Sequence, residues 1–117
     1  MTTTTPAPLV SSSDVNGTTV YGADGTRIGT IDHLMIDKKT GKVAYAVMGF
    51  GGFLGMGEDH YPVPWGKLRY EPRLDGFATD ITEQDVKGAP VTPDNWHRDR
   101  DWEQRTHHHY RIPNYWL

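Results

Sequence analysis

Histidine stands beside aspartate twice in this sequence, at Asp32-His33 and Asp59-His60, and three histidines run together at His107-His108-His109. An aspartate that shares a proton with an imidazole makes a general base, and a histidine-rich tract can hold a metal ion. Geometry argues against both uses. Neighbours along a strand project to opposite faces, so neither Asp-His pair is expected to share a proton directly. Consecutive residues on a helix diverge by about 100°, so the three histidines cannot converge on one ion, and His97 joins them only through tertiary folding. The only serines are Ser11, Ser12 and Ser13, and there is no cysteine. Neither a Ser-His-Asp nor a Cys-His nucleophile is therefore expected, nor a disulfide or a thiolate zinc site. The glycine-rich stretch 49–57 suggests a phosphate cradle, but a P-loop ends in Gly-Lys-Ser/Thr. Here Gly57 leads into Glu58 and Asp59, which repel phosphate. The sequence predicts no catalytic residue, no metal ligand and no cofactor.

What remains points to binding. Phe53, Leu54 and Met56 are apolar residues in a loop, the kind of exposed group that marks an interface, unless they fold back over the barrel mouth. The last quarter of the chain holds Trp96, Trp102, Tyr110, Tyr115 and Trp116. Large aromatics bury roughly 150–250 Å² each, so these must pack on their own barrel or on a neighbouring subunit. With Trp65 they complete the set expected to touch a partner. Arg98, Arg100, Arg105 and Arg111 alternate with Asp99, Asp101 and Glu103, which reads as a solvated, ion-paired face.

The elements that must position these residues are short. The 117 residues allow one core, and 13 Gly with 8 Pro favour strands and turns over a helical bundle. A formal charge of −3 gives no basic face for nucleic acid. Residues 1–10 lack the cationic and apolar regions of a signal peptide, and no stretch reaches the roughly 20 apolar residues of a membrane span. A cytoplasmic protein without membrane insertion is expected. Residues 1–9 read as a disordered leader, 10–89 as the barrel, and 90–117 as a partly helical aromatic tail.

Extended segments are predicted at 18–21, 27–37, 42–50, 60–65, 68–71 and 77–81, with an Asp24-Gly25 hairpin turn after the first. Ile28, Ile31, Leu34 and Met35 also fit a helical stripe, but Gly29 and the β-branched Thr30, Ile31 and Ile36 favour strand. The phase slip from Ile31 to Leu34 then requires a bulge near Asp32-His33. The expected core is Val20, Ile28, Ile31, Leu34, Ile36, Val43, Tyr45, Val47, Phe50, Val63, Leu68, Phe77 and Ile81. Thr82 and Asp85 have the spacing of a capping box, and Gly88 with Pro90 ends that short helix. A second start at Thr92-Pro93 would carry a helix over 94–110, with Trp102, Thr106, His109 and Tyr110 on one face.

Val20-Tyr21, Asp24-Gly25, Ile28-Gly29, Ile36-Asp37, Gly41-Lys42-Val43, the glycine-rich stretch and Val63-Pro64-Trp65 stand in an order that resembles the PRC-barrel family. The resemblance runs over about residues 12–89. It implies a mainly β fold, a small six-stranded antiparallel barrel that acts as a docking surface without an established catalytic site. Family members include the soluble domain of a reaction-centre H subunit and the C-terminal domain of a ribosome-maturation factor. The membrane helix of the one and the N-terminal domain of the other have no counterpart here, so the chain is similar to the stand-alone bacterial type. The expected role is a non-enzymatic interaction module, self-associating as a dimer or meeting a further protein partner. A barrel that binds a small ligand or metal is the alternative.

Overall fold

The computed structural model describes residues 8–50 and 60–117. Six strands fall on the six expected segments: β1 (Thr19–Tyr21), β2 (Arg27–Ile36), β3 (Val43–Gly49), β4 (His60–Pro64), β5 (Arg69–Glu71) and β6 (Gly76–Ala78). They form one sheet in the order β4-β3-β2-β1-β6-β5. The first turn is built as expected. Gly25 takes φ +82°, a region open to glycine, and the Asp24 carboxylate accepts the Thr26 N–H at 3.0 Å.

The expectation of a purely antiparallel, closed barrel is corrected on both counts. β1 pairs with β6 in parallel, while the other neighbours are antiparallel. The reason is one connection. Between β4 and β5 the chain passes through a 3-10 turn, Trp65–Lys67, without reversing direction. The path therefore reverses four times rather than five, and its last strand meets its first in parallel. The sheet is also left open, with β4 and β5 at its edges. Pro62 and Pro64 sit on β4 opposite Val47 and Tyr45, and proline cannot donate to a ladder. Their missing donors belong on the free side of β4, which makes that edge a poor one for a further strand.

The β2 bulge is where the phase slip places it: Ile31 faces Met48 and His33 faces Val47, leaving Asp32 as the extra residue. A second irregularity follows between Met35 and Ile36. It turns Ile36 outward to 51 % exposure, a correction to the expected core. The larger correction concerns β3, which is buried on both faces. Ala46 and Met48, absent from the expected core, join Val20, Ile28, Ile31, Phe50, Val63 and Phe77 in the main core. Tyr45 lies in a second cluster with Ala44 and Trp102.

Among the described residues, three α-helices accompany the sheet. α1 (Ser12–Val15), which the sequence reading does not anticipate, buries Val15. α2 (Glu83–Lys87) starts with the expected capping box: Thr82 Oγ1 accepts the Asp85 N–H at 3.1 Å, and Asp85 Oδ2 accepts the Thr82 N–H at 2.9 Å. The tail helix α3 (Arg100–Tyr110) begins later than expected, because Trp96–Arg98 form a 3-10 turn and Asp99 becomes the cap, accepting the Trp102 N–H at 2.9 Å. Tyr110 belongs to the main core, and Ile112 packs over Gly66.

Candidate functional site

Among the described residues, a dense set of polar and aromatic side chains lies between β3 and the tail. Tyr45 points from the outer face of β3 into a ring of neighbours: Trp96 at 5.5 Å, Trp102 at 5.8 Å, His107 at 5.3 Å and Tyr115 at 5.9 Å between ring centroids. At their centre is Glu103, a buried acid. Its Oε1 accepts the Tyr45 hydroxyl at 2.8 Å and the Tyr115 hydroxyl at 2.6 Å, while Oε2 lies 3.4 Å from Arg100 Nη1. A buried carboxylate is tolerated only when paired and hydrogen-bonded, and here three groups serve it. Arg100 in turn lies 3.9 Å from the Trp116 ring centroid, a cation–π contact. The expectation that Asp99 and Glu103 belong to a solvated charged face is therefore corrected. Asp99 caps the helix and Glu103 faces inward, leaving Asp101 and Arg105 as the exposed pair at 3.1 Å.

The three consecutive histidines diverge. His107 is buried and its Nδ1 donates to the Glu103 carbonyl oxygen at 2.7 Å. His108 faces solvent. His109 donates from Nε2 to the Asp85 carbonyl oxygen at 2.7 Å and so ties α3 to α2. The expected helical face is thus revised: Trp102, Thr106 and Tyr110 are inward, with Glu103 and His107 beside them instead of His109.

Ionisation follows burial. Burial first, and then the bond to Glu103, push the Tyr45 hydroxyl far above the usual phenol range, and the same two causes push Tyr115 up to about 12. Both stay protonated donors at neutral pH. Burial also holds His107 below its ordinary 6.5, against the raising influence of Glu103. An unfolded chain then binds a proton at a pH where the folded one does not. The stability this burial provides is complete above about 6.5 and is lost as pH falls from there toward the folded value. We expect the melting temperature to drop between pH 7.5 and 5.5, and His107→Gln to flatten that slope. Equal slopes for the two proteins would remove His107 as the cause.

A smaller polar group sits at the β2 bulge. His33 Nδ1 lies 2.6 Å from Asp32 Oδ2, and His60 Nε2 lies 3.6 Å from Asp32 Oδ1. This corrects the expectation that Asp32 and His33 cannot meet. The bulge suspends the strand's alternation and brings both side chains to one side. The His33 bond holds the Asp32 carboxyl below its usual range. All three are about half exposed. Among the described residues, no group of three or more His, Asp or Glu side chains is placed to hold a metal ion.

The residues expected to touch a partner are scattered by the fold. Trp102 and Tyr110 are buried within this chain, whereas Trp65, Trp96, Tyr115 and Trp116 are part-exposed. Phe53, Leu54 and Met56 lie outside the described residues. Glu103 and His107 were missed as interior groups, although their spacing of four, one step beyond Trp102 and Thr106, continues the buried stripe.

These features define a small, mainly β domain whose open sheet is sealed on one face by an aromatic helix. Residues 8–86 match the family model of the PRC-barrel domain, and the chain belongs to that family. Such domains are modules of protein interaction and assembly and are generally non-catalytic. No curated protein matches the chain significantly. Among the described residues, no helix is long and apolar enough to cross a membrane.

Proposed function

We propose that this chain is a non-enzymatic assembly module that pairs with a second copy of itself through the β5 edge. The observation that supports this is a groove of about 770 Å³ beside that edge, where Leu9, Val10, Trp65, Tyr70 and Phe77 form an apolar stretch with Asp14 and Asp75 among the other lining residues. Leu9 is 86 % exposed and Tyr70 47 %, and Leu74 on the adjoining turn is exposed too. Apolar groups gathered at one place are a mark of an interface. β5 is an edge strand without proline, unlike β4, so its backbone can accept a partner strand. Two copies meeting β5 to β5 across a two-fold axis would form a closed, self-complementary contact. The part-exposed Trp96, Tyr115 and Trp116 offer a second surface to a further protein partner, with Arg100 already stacked among them.

Sedimentation equilibrium tests the reading. A dimer is expected at tens of micromolar, and Tyr70→Lys with Leu9→Lys should convert it to a monomer that still unfolds in one cooperative transition, at a melting temperature that no longer depends on concentration. A wild-type chain that stays monomeric overturns self-association. A dimer that survives the lysines but is lost in Trp116→Ala moves the interface to the tail.

A further inference from the structure

A second groove, of about 430 Å³, lies between β4, the segment joining α2 to α3, and α3 itself. Two of the residues that line it are unusual. Trp102 Nε1 and Thr106 Oγ1 are buried side-chain atoms with no hydrogen-bond partner, and both residues line this groove at 1 % exposure. They sit four apart on α3, one turn of helix, on the face turned to β4. A buried donor left unpaired costs about 1–3 kcal/mol, so neither polar atom contributes to holding the fold. Indole N–H is a donor only, and a threonine hydroxyl can donate, so the missing partner is an acceptor. The surroundings select its charge. Lys87 and His60 stand among the lining residues, and none of the described residues that line the groove is acidic. Lys87 is ion-paired to Glu83 at 3.1 Å, with both side chains about half exposed, a screened pair of small strength that leaves its charge available. Apart from Thr92, the rest of the wall is aromatic and aliphatic, including Tyr61, Tyr110 and Val86. The volume lies within the range of about 300–1,000 Å³ typical of small-molecule sites.

We infer that this groove binds a small apolar molecule bearing a carboxylate, whose oxygens accept from Trp102 Nε1 and Thr106 Oγ1 with Lys87 at the rim. The site is independent of the β5 edge and does not rest on self-association.

The test uses the full chain and 2-naphthoate as probe, with 2-naphthamide as its neutral counterpart. The indole N–H resonance of Trp102, assigned with Trp102→Phe, reports on the donor itself. Saturable movement of that resonance with 2-naphthoate is expected. Thr106→Val keeps the shape and removes the hydroxyl. It should leave the melting temperature equal or higher, because an unsatisfied buried group is gone, while weakening 2-naphthoate binding about tenfold or more. The amide should bind more weakly than the acid. A resonance unmoved at millimolar probe, or Thr106→Val binding as well as wild type, overturns the site. Equal binding of the amide overturns the carboxylate.

Discussion

A single added methyl group at Gly29 should destabilise this protein more than the loss of most core side chains. Gly29 lies in β2 where the strand crosses the end of β3. A Cβ built there would run into the Gly49 carbonyl oxygen, with Gly49 C at 3.2 Å and Phe50 Cα at 3.3 Å. All three are backbone atoms, so no rotamer change relieves the clash and the pairing of Thr30 with Gly49 has to open. Overpacking that side chains can absorb costs about 1–3 kcal/mol. Here the ladder itself must move, and we expect Gly29→Ala to exceed about 3 kcal/mol, out of a domain total of about 5–15 kcal/mol. Gly49→Ala is the control. Among the described residues its Cβ would meet only the His60 ring, at 3.6 Å, an ordinary contact, so its effect should stay below about 1 kcal/mol, the usual cost or gain of glycine replacement. Thermal unfolding of the two variants decides the matter. Similar melting temperatures would mean that β2 and β3 do not approach as closely as this register demands.

The same strands show how far the sequence could be read. The strand over 27–36 and its bulge follow from one observation, that Ile31 and Leu34 are out of phase for a period of two, and the pairing bears this out. The Thr82–Asp85 capping box is equally local, because both partners and both donors lie within four residues. What escaped is non-local. In β3 the residues Ala44, Tyr45, Ala46, Val47 and Met48 are all apolar or aromatic, so no alternation tells one face from the other. Choosing Val43, Tyr45 and Val47 as the inner set misplaces Ala46 and Met48, which lie in the main core. Tyr45 is buried only because the tail covers it, and no spacing within β3 announces a helix 55 residues further on. For the same reason Glu103 hides in a run of alternating charges. Its inward turn depends on Tyr45 and Tyr115, which approach it from elements far apart in the chain. The parallel meeting of β1 and β6 likewise turns on a three-residue 3-10 turn that carries no strong signal of its own.

The tail is therefore better regarded as the second wall of β3 than as an appendage. Trp102→Ala should make this plain. Trp102 is 1 % exposed and its ring packs on Tyr45 and Trp96, and removing such a side chain costs about 3–5 kcal/mol. For a domain of this size that amounts to a fall of about 10–20 °C in melting temperature. The sharper test ends the chain at residue 89. Were the tail a separate contact arm, the remaining sheet would melt nearly as before. With the tail as a wall, truncation strips Trp102, Glu103, His107 and Tyr110 from β3 together, exposing Tyr45 and opening the main core at Tyr110. We expect the shortened chain to lose cooperative unfolding and to bind a hydrophobic dye. The full chain should give one transition, coincident by tryptophan fluorescence and far-ultraviolet circular dichroism. Two separated transitions in the full chain, or a well-folded 1–89, would show that sheet and tail are independent. The Glu103 network would then be a clasp for something other than its own sheet.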